Sequence, residues 1–236
     1  MLPGLYLSAN GMRVRITQQE IVANNIANLN TPGFKREAVS FREIYSSLMG
    51  KPLPLLGLEA KTDFGQGSLQ RTGEPLNLAI EGRGFFAVET PKGTRYTRDG
   101  NFSLDKDGLL ITQGGDPVLG ESGPIIIDGD EVTVNDQGGV FVNGRLVDRF
   151  LITDFDLPYP LRKEGKGLFS PLPGSQAKRV ESPRLLQGYL EASNVTPAKE
   201  MIELISLLRF YEANQKAILM QDQTLSRAVN DLGVVK

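Results

Sequence analysis

The chain contains no histidine, no cysteine and no tryptophan, and its 26 lysines and arginines nearly balance its 28 aspartates and glutamates. Absence of cysteine excludes a disulfide framework and thiolate metal sites, and it is compatible with either side of an inner membrane. Without His or Cys, the usual general base and thiol nucleophile are missing, which leaves acid pairs or a Ser–Lys couple as the remaining catalytic options. A net charge of −2 offers no chain-wide attraction to phosphate backbones, and no basic block is interleaved with aromatics. Nucleic acid is therefore not an expected partner. No apolar run approaches the ~18 residues needed to span a bilayer. The first residues also lack the basic region and continuous apolar stretch of a cleavable secretory signal. No cofactor and no metal are expected.

What is present is organised by periodicity. With 236 residues and 40% hydrophobic content, the chain can bury at least one real core, in one or two units. Near its start Leu5, Ala9, Met12, Ile16, Gln19, Ala23 and Ile26 recur at alternating steps of four and three, the 3.5-residue period of a helix that packs along a narrow seam. Near its end Met201, Leu204, Leu208, Tyr211, Gln215, Ile218, Asp222, Leu225, Val229 and Leu232 follow the same alternation. An isolated amphipathic helix is held mostly by burying its stripe, so both segments need partners, and the two stripes can face each other. Leu5, Met12, Ile16, Ile26, Leu204, Leu208, Tyr211, Ile218 and Leu225 are the expected assembly seam.

The helix boundaries are legible. Thr196 is suited to cap a helix that starts at Pro197, where the missing N–H costs nothing, and Glu200 sits well at the positive end of the helix dipole. Gly233 can close that helix in the left-handed region. A helix from Pro197 to about Leu232 is roughly 50 Å long. The first helix ends in Asn28-Leu29-Asn30-Thr31-Pro32-Gly33, because Pro32 biases Thr31 out of the helical region and Gly33 permits a turn.

From about Gly67 the pattern changes to short apolar runs: Leu76 to Ile80, Phe85 to Val88, Gly123 to Ile127, Val132 to Val134, Val140 to Val142 and Leu146 to Ile152. Asp99-Gly100, Asp107-Gly108, Asp128-Gly129 and Asn143-Gly144 punctuate them, each suited to the positive φ of a tight turn. This spacing favours an antiparallel, sandwich-like or open-barrel unit. Phe85, Phe86, Phe102, Phe141 and Phe150 are its expected core. Between the first helix and this unit, Phe41 to Met49 fits a short amphipathic helix, while Lys51-Pro52-Leu53-Pro54-Leu55-Leu56-Gly57 disfavours continuing it and suggests an extended connector.

The expected organisation is α+β. A coiled-coil-like terminal domain is built from residues 1–33 and 186–236, the latter including a return connector, with a connector at 34–67 and a central antiparallel all-β domain at 68–185.

Several ordered strings carry a family resemblance. Val22 to Lys35, reading VANNIANLNTPGFK, and Leu190 to Val195, reading LEASNV, closely resemble those of bacterial flagellar basal-body rod and hook proteins. Gly65 to Gly73 (GQGSLQRTG), Leu78 to Phe86 (LAIEGRGFF), Tyr96 to Phe102 (YTRDGNF) and Arg209 to Ala217 (RFYEANQKA) resemble the same family. The resemblance implies a structural subunit of the axial rod, the drive shaft between motor and hook. Terminal helices would pair and line the inner tube, with the β domain outside. Met1 to Tyr6 and the modest length resemble a proximal-rod subunit more than the distal-rod protein or the larger hook protein. Implied partners are further copies of the chain, other rod subunits, hook–basal-body proteins and the flagellum-specific export apparatus. The implied location is the periplasm-spanning rod of the basal body, reached without a cleavable signal.

A seam completed by neighbours through a rotation that does not close generates a helical filament, and helices that order only on addition would keep free subunits from nucleating early. Other readings stand beside this one. A heptad stripe is often the seam of an ordinary fold. Asn24, Asn25, Asn28 and Asn30, with Thr31, Pro32 and Gly33, either form a polar helix end or place amides between subunits. Gly82-Arg83-Gly84 lacks the third glycine of a dinucleotide loop, and Asp105 to Gly108 lacks the later ligands of a calcium loop. An enzyme would have to use a carboxylate pair such as Asp99 and Asp116 in a cleft. A β-rich adhesin-like module with helical oligomerisation ends would show the same patterns.

Overall fold

Four passages of the chain divide it into two units. The computed structural model describes residues 2–48, 51–129 and 131–232, with side chains at 10–40, 59–129, 131–224 and 226–227. Unit 1 comprises Met1–Ala27, Glu37–Asp63 and Thr196–Lys236, and unit 2 comprises Asn28–Arg36 and Phe64–Val195.

Unit 1 contains helices α1 (Leu2–Ala27) and α2 (Pro197–Leu232) and strands β1 (Glu37–Leu48) and β2 (Lys51–Thr62). The helices pack on each other, and α1 also packs on the two strands. α2 starts at Pro197, as Thr196 and Pro197 predict. Its first turn closes through the Glu200 N–H, which donates to the Thr196 carbonyl at 3.1 Å. Gly233, the expected stop, lies outside the described residues.

The expected helix at Phe41–Met49 is not formed. Residues up to Leu48 belong to β1, which pairs antiparallel with β2 from Glu37↔Thr62 to Leu48↔Lys51, and Met49 lies outside the described residues. The connector read at Lys51-Pro52-Leu53-Pro54 is likewise the start of a strand. Proline lacks a ladder donor and is confined to sheet edges. In a two-stranded ribbon each strand keeps one open edge, and Pro52 and Pro54, two residues apart, turn their nitrogens to the same edge. Two strands alone are marginal in water, so the ribbon depends on its packing against α1.

Unit 2 is built from short antiparallel strands: β3 (Leu69–Arg71), β4 (Leu78–Ile80), β5 (Phe85–Thr90), β6 (Gly93–Thr97), β7 (Phe102–Leu104), β8 (Leu110–Thr112), β9 (Val132–Val134), β10 (Gly139–Val142), β11 (Arg145–Arg149), β12 (Ile152–Asp154), β13 (Leu161–Gly165), β14 (Leu168–Pro171), β15 (Lys178–Arg179), β16 (Leu185–Gln187) and β17 (Tyr189–Glu191). The main sheet runs β13-β14-β6-β5-β12-β15, a second runs β11-β10-β9, and β16-β4, β17-β3 and β7-β8 form pairs.

Strand alternation sends neighbouring side chains to opposite faces, so β5 serves two cores. Phe86 and Val88 join Leu78, Phe102, Val118 and Phe150 on one side. Phe85 and Ala87 join Tyr96, Phe155 and Phe169 on the other, with Phe64 and Tyr159 against them. The aromatic pairs meet mostly edge-on, Phe86 on Phe102 at 5.1 Å and Phe64 on Tyr159 at 4.9 Å, the favoured quadrupole arrangement. Of the aromatics expected inside, Phe141 is only half-buried.

Some expected strands are different. Gly123 to Ile127 makes isolated bridges through Pro124 and Ile126 instead of a strand. The run from Leu146 to Ile152 is split between β11 and β12, in separate sheets. The Asn143-Gly144 turn joins β10 to β11 with both residues at positive φ, +49° and +78°, as a two-residue hairpin turn requires.

Candidate assembly junction

Five of the six strings that carry the family resemblance lie wholly or partly in unit 2 and meet there, while Arg209 to Ala217 lies on α2 in unit 1. Gly33, at the end of the Asn-rich turn, has φ +65°, and a Cβ there would fall on the backbone of Arg98 and Asp99. Only glycine permits both the dihedral and the approach. The turn before it is closed by the Thr31 N–H on the Asn28 carbonyl at 3.3 Å and the Thr31 hydroxyl on Asn28 Oδ1 at 3.2 Å.

Around this contact lies a buried ionic knot. Lys35 Nζ donates to Glu191 Oε1 at 2.5 Å and to the Gly65 carbonyl at 2.8 Å, and both charged side chains are 1% exposed. Glu191 Oε1 also accepts the Gly67 N–H at 2.8 Å, while the Glu191 carbonyl accepts the Gly33 N–H at 2.7 Å. Asn194 Oδ1 accepts the Arg36 N–H at 2.7 Å, and its Nδ2 donates to the Gly65 carbonyl at 3.0 Å. From β13, Lys163 Nζ lies 3.5 Å from the centre of the Phe34 ring and donates to the Lys35 carbonyl at 3.0 Å.

Arg98 enters from the third side. Its Nη1 lies 3.5 Å from Glu191 Oε2 and donates to the Ile80 carbonyl at 3.2 Å, and its Nη2 donates to the Gly82 carbonyl. Burial pulls the Arg98 guanidinium below its ordinary value, and the Glu191 charge pushes back. Next to it, burial pushes the Asp99 carboxyl up to about 6, partly offset by the Asn101 N–H that it accepts at 3.0 Å. Gln66 links Ile80 and Gly82 by donating to the former carbonyl and accepting from the latter N–H. A buried carboxylate that faces two cations and accepts the Gly67 N–H is a structural node.

Within unit 1 the corresponding node is Asn25. Its Nδ2 donates to the Glu37 carbonyl at 2.8 Å, and its Oδ1 accepts the Glu37 N–H at 2.9 Å, so the amide mimics a strand neighbour at the start of β1. The same Nδ2 lies 3.1 Å from Glu200 Oε2 on α2, and both side chains are buried. The other asparagines of the motif differ: Asn24 and Asn30 are exposed, and Asn28, Thr31 and Pro32 are half-buried.

The expected seam lies beside the buried side of the helices. Among the described side chains, the buried ones on α1 are Val14, Gln18, Val22 and Asn25, and on α2 they are Glu200 and Leu207. Met12, Ile26, Leu204, Tyr211 and Ile218 are half-buried flanks of that surface. Ile16 and Leu208 are 43% and 41% exposed. The side chains of Leu5 and Leu225 lie outside the described residues. Arg15 stacks its guanidinium 4.8 Å from the Phe210 ring, a cation–π contact between the helices. Outward on α2 stand Met201, Ile202, Ile205, Leu208, Leu219 and Met220, all exposed.

Lys35, Arg98, Glu191 and Asn194 stand in the sequence only as letters within the motifs. Their signal was a charge or amide embedded in short apolar or Gly-rich strings, which marks either a solvated turn or a buried pair. Among the described residues no three acidic side chains converge as metal ligands, and no helix is long and apolar enough to cross a membrane. A surface cavity of about 550 Å³, lined by Asp128, Val142, Asn143, Arg145, Leu146 and Val147, contains neither Asp99 nor Asp116.

Comparison with known proteins matches three stretches. Residues 5–35 match the flagella basal body rod protein family, residues 79–142 the flagellar hook protein FlgE/F/G D1 domain, and residues 186–232 the flagellar basal body rod FlgEFG protein C-terminal family. Similar proteins include the flagellar basal-body rod protein FlgF of Caulobacter vibrioides, 37% identical over 98% of this chain and 98% of that protein. The flagellar basal-body rod protein FlgG of Bacillus subtilis is 33% identical over 98% and 99%, and that of Buchnera aphidicola subsp. Acyrthosiphon pisum 31% over 96% and 98%. Sequence motifs, matched families and full-length relatives agree, and the chain belongs to the flagellar basal-body rod protein family.

Proposed function

We propose that this structural, non-enzymatic rod protein polymerises helically through its terminal helices, and that its copies, with other rod and hook–basal-body subunits, form the torque-transmitting shaft of the flagellum. The observation that carries the reading is the two-sided character of α2. Leu207 is 4% exposed, while its neighbour Leu208 is 41% exposed in line with Met201 and Ile205, both 52%. One side is satisfied within the chain. The other is an apolar stripe at helical spacing, of the kind that a neighbouring subunit's helix completes. A heterologous contact of this type extends into a filament when its rotation does not close.

A proximal-type position belongs to this reading, and the flagellum-specific export apparatus is the proposed route to the periplasm-spanning rod. Labelling the chain in purified basal bodies tests the location directly. Removing residues 197–236 should leave a folded β unit that no longer enters the rod; incorporation of the truncated chain would overturn the role given to α2. Unchanged swimming after loss of the gene would favour an adhesin-like module instead.

A further inference from the structure

We infer that Glu191 is a positioning residue that locks together the chain passages feeding unit 1, so that loosening it frees all of them as one group while the β core of unit 2 stays closed. The purpose of such a lock rests on the rod reading; its geometry does not.

The two units are covalently joined only where the chain crosses after Ala27, after Arg36, after Asp63 and after Val195. These are the roots of α1, β1, β2 and α2. Glu191 ties them from a single position. Its carbonyl holds Gly33, and its Oε1 holds both Lys35 and Gly67. Three residues on, Asn194 holds Arg36 and Gly65, and Gly65 also receives Lys35. Each passage is therefore bonded to another passage, not only to the nearby sheet.

Buried charge makes this network cooperative. In a low-dielectric interior, removing one charge weakens every group bonded to it, and the Glu191 carboxylate faces both Lys35 and Arg98. Loss of its charge withdraws one counter-charge from two buried cations at once. Contiguous networks of this kind open as cooperative units distinct from the global transition. In a shaft under torque, any load passed along the covalent chain between the units runs through these same four passages.

Hydrogen exchange on the purified full-length chain tests the lock without requiring assembly, so a failure of the rod reading leaves the result interpretable. Glu191→Gln keeps an acceptor for Gly67 but removes the charge. Amides of residues 33–37, 65–67 and 192–200 should exchange at least about tenfold faster, as a group, while those of Phe85 to Val88 change less than about twofold. Acceleration confined to the neighbours of residue 191 overturns the inference. So does acceleration spread evenly over the core, which is what a merely structural contribution to overall stability would give. Should Glu191→Gln fail to fold, Asn194→Ala removes two bonds without unpairing a charge, and the same three segments must loosen together or the inference falls.

Discussion

Lys35 and Glu191 are 156 residues apart in sequence and 2.5 Å apart in the structure, each with a side chain 1% exposed. An ion pair this deeply buried is not in itself a source of stability, because desolvation offsets much of the attraction. Its effect appears when one partner is lost.

Lys35→Met should therefore destabilise the chain by about 3–5 kcal/mol, read from denaturant unfolding. The double variant Lys35→Met/Glu191→Leu should lose less than the two single variants summed, because the attraction between the pair is then lost once and not twice. Additivity to within about 0.5 kcal/mol would show that the two residues are not coupled.

Asp99 sets a pH dependence. Its carboxyl is raised from an ordinary 3.8 to about 6 by burial, so in that window the folded state binds the proton more tightly than the unfolded one. The favourable contribution is complete below about pH 4 and is lost as pH rises through 6, in total about 3 kcal/mol. Asp99→Asn keeps an acceptor for the Asn101 N–H and removes the titration. It should match the wild-type melting temperature near pH 4 and exceed it by several degrees at pH 8. A wild-type chain that gains on this variant as pH rises would refute the assignment.

Gly33 and Gly73 both have positive φ, +65° and +80°, but only Gly33 meets backbone where a Cβ would stand. Gly73→Ala should cost about 1 kcal/mol, the conformational penalty alone. Gly33→Ala adds displacement of the Arg98–Asp99 segment and should cost at least about 3 kcal/mol. Equal losses in thermal unfolding would mean that the close approach is easily relieved.

Leu207 and Leu208 separate stability from assembly. Leu207→Ala should destabilise by about 2–4 kcal/mol. Leu208→Asp should change stability by less than about 0.5 kcal/mol and yet abolish rod incorporation. Normal motility with Leu208→Asp would remove this face of α2 from the proposed interface.

The terminal helices, the β-rich middle and the Asn143-Gly144 hairpin were legible because periodicity, caps and turn chemistry are local signals. β1 and β2 were hidden by Pro52 and Pro54, which argue against a strand unless it is known to have an open edge. The heptad count found the flank of the helix packing, since Leu204, Tyr211 and Ile218 are half-buried, but it did not separate Leu207 from Leu208, one residue apart. The knot at Lys35, Arg98 and Glu191 was readable as composition and unreadable as contact. Nothing in the letters around residue 35 indicates that its counter-charge lies on β17.

The division of unit 1 into three separate stretches bears on how the molecule is made. A nascent chain that has emerged as far as Pro171 already carries α1, the hairpin and most of the β unit, but neither the Glu191 carboxylate nor the helix against which α1 packs. Biosynthesis therefore supplies the fastener late and α2 after it, and a prematurely terminated product has its amino-terminal helix without its counterpart.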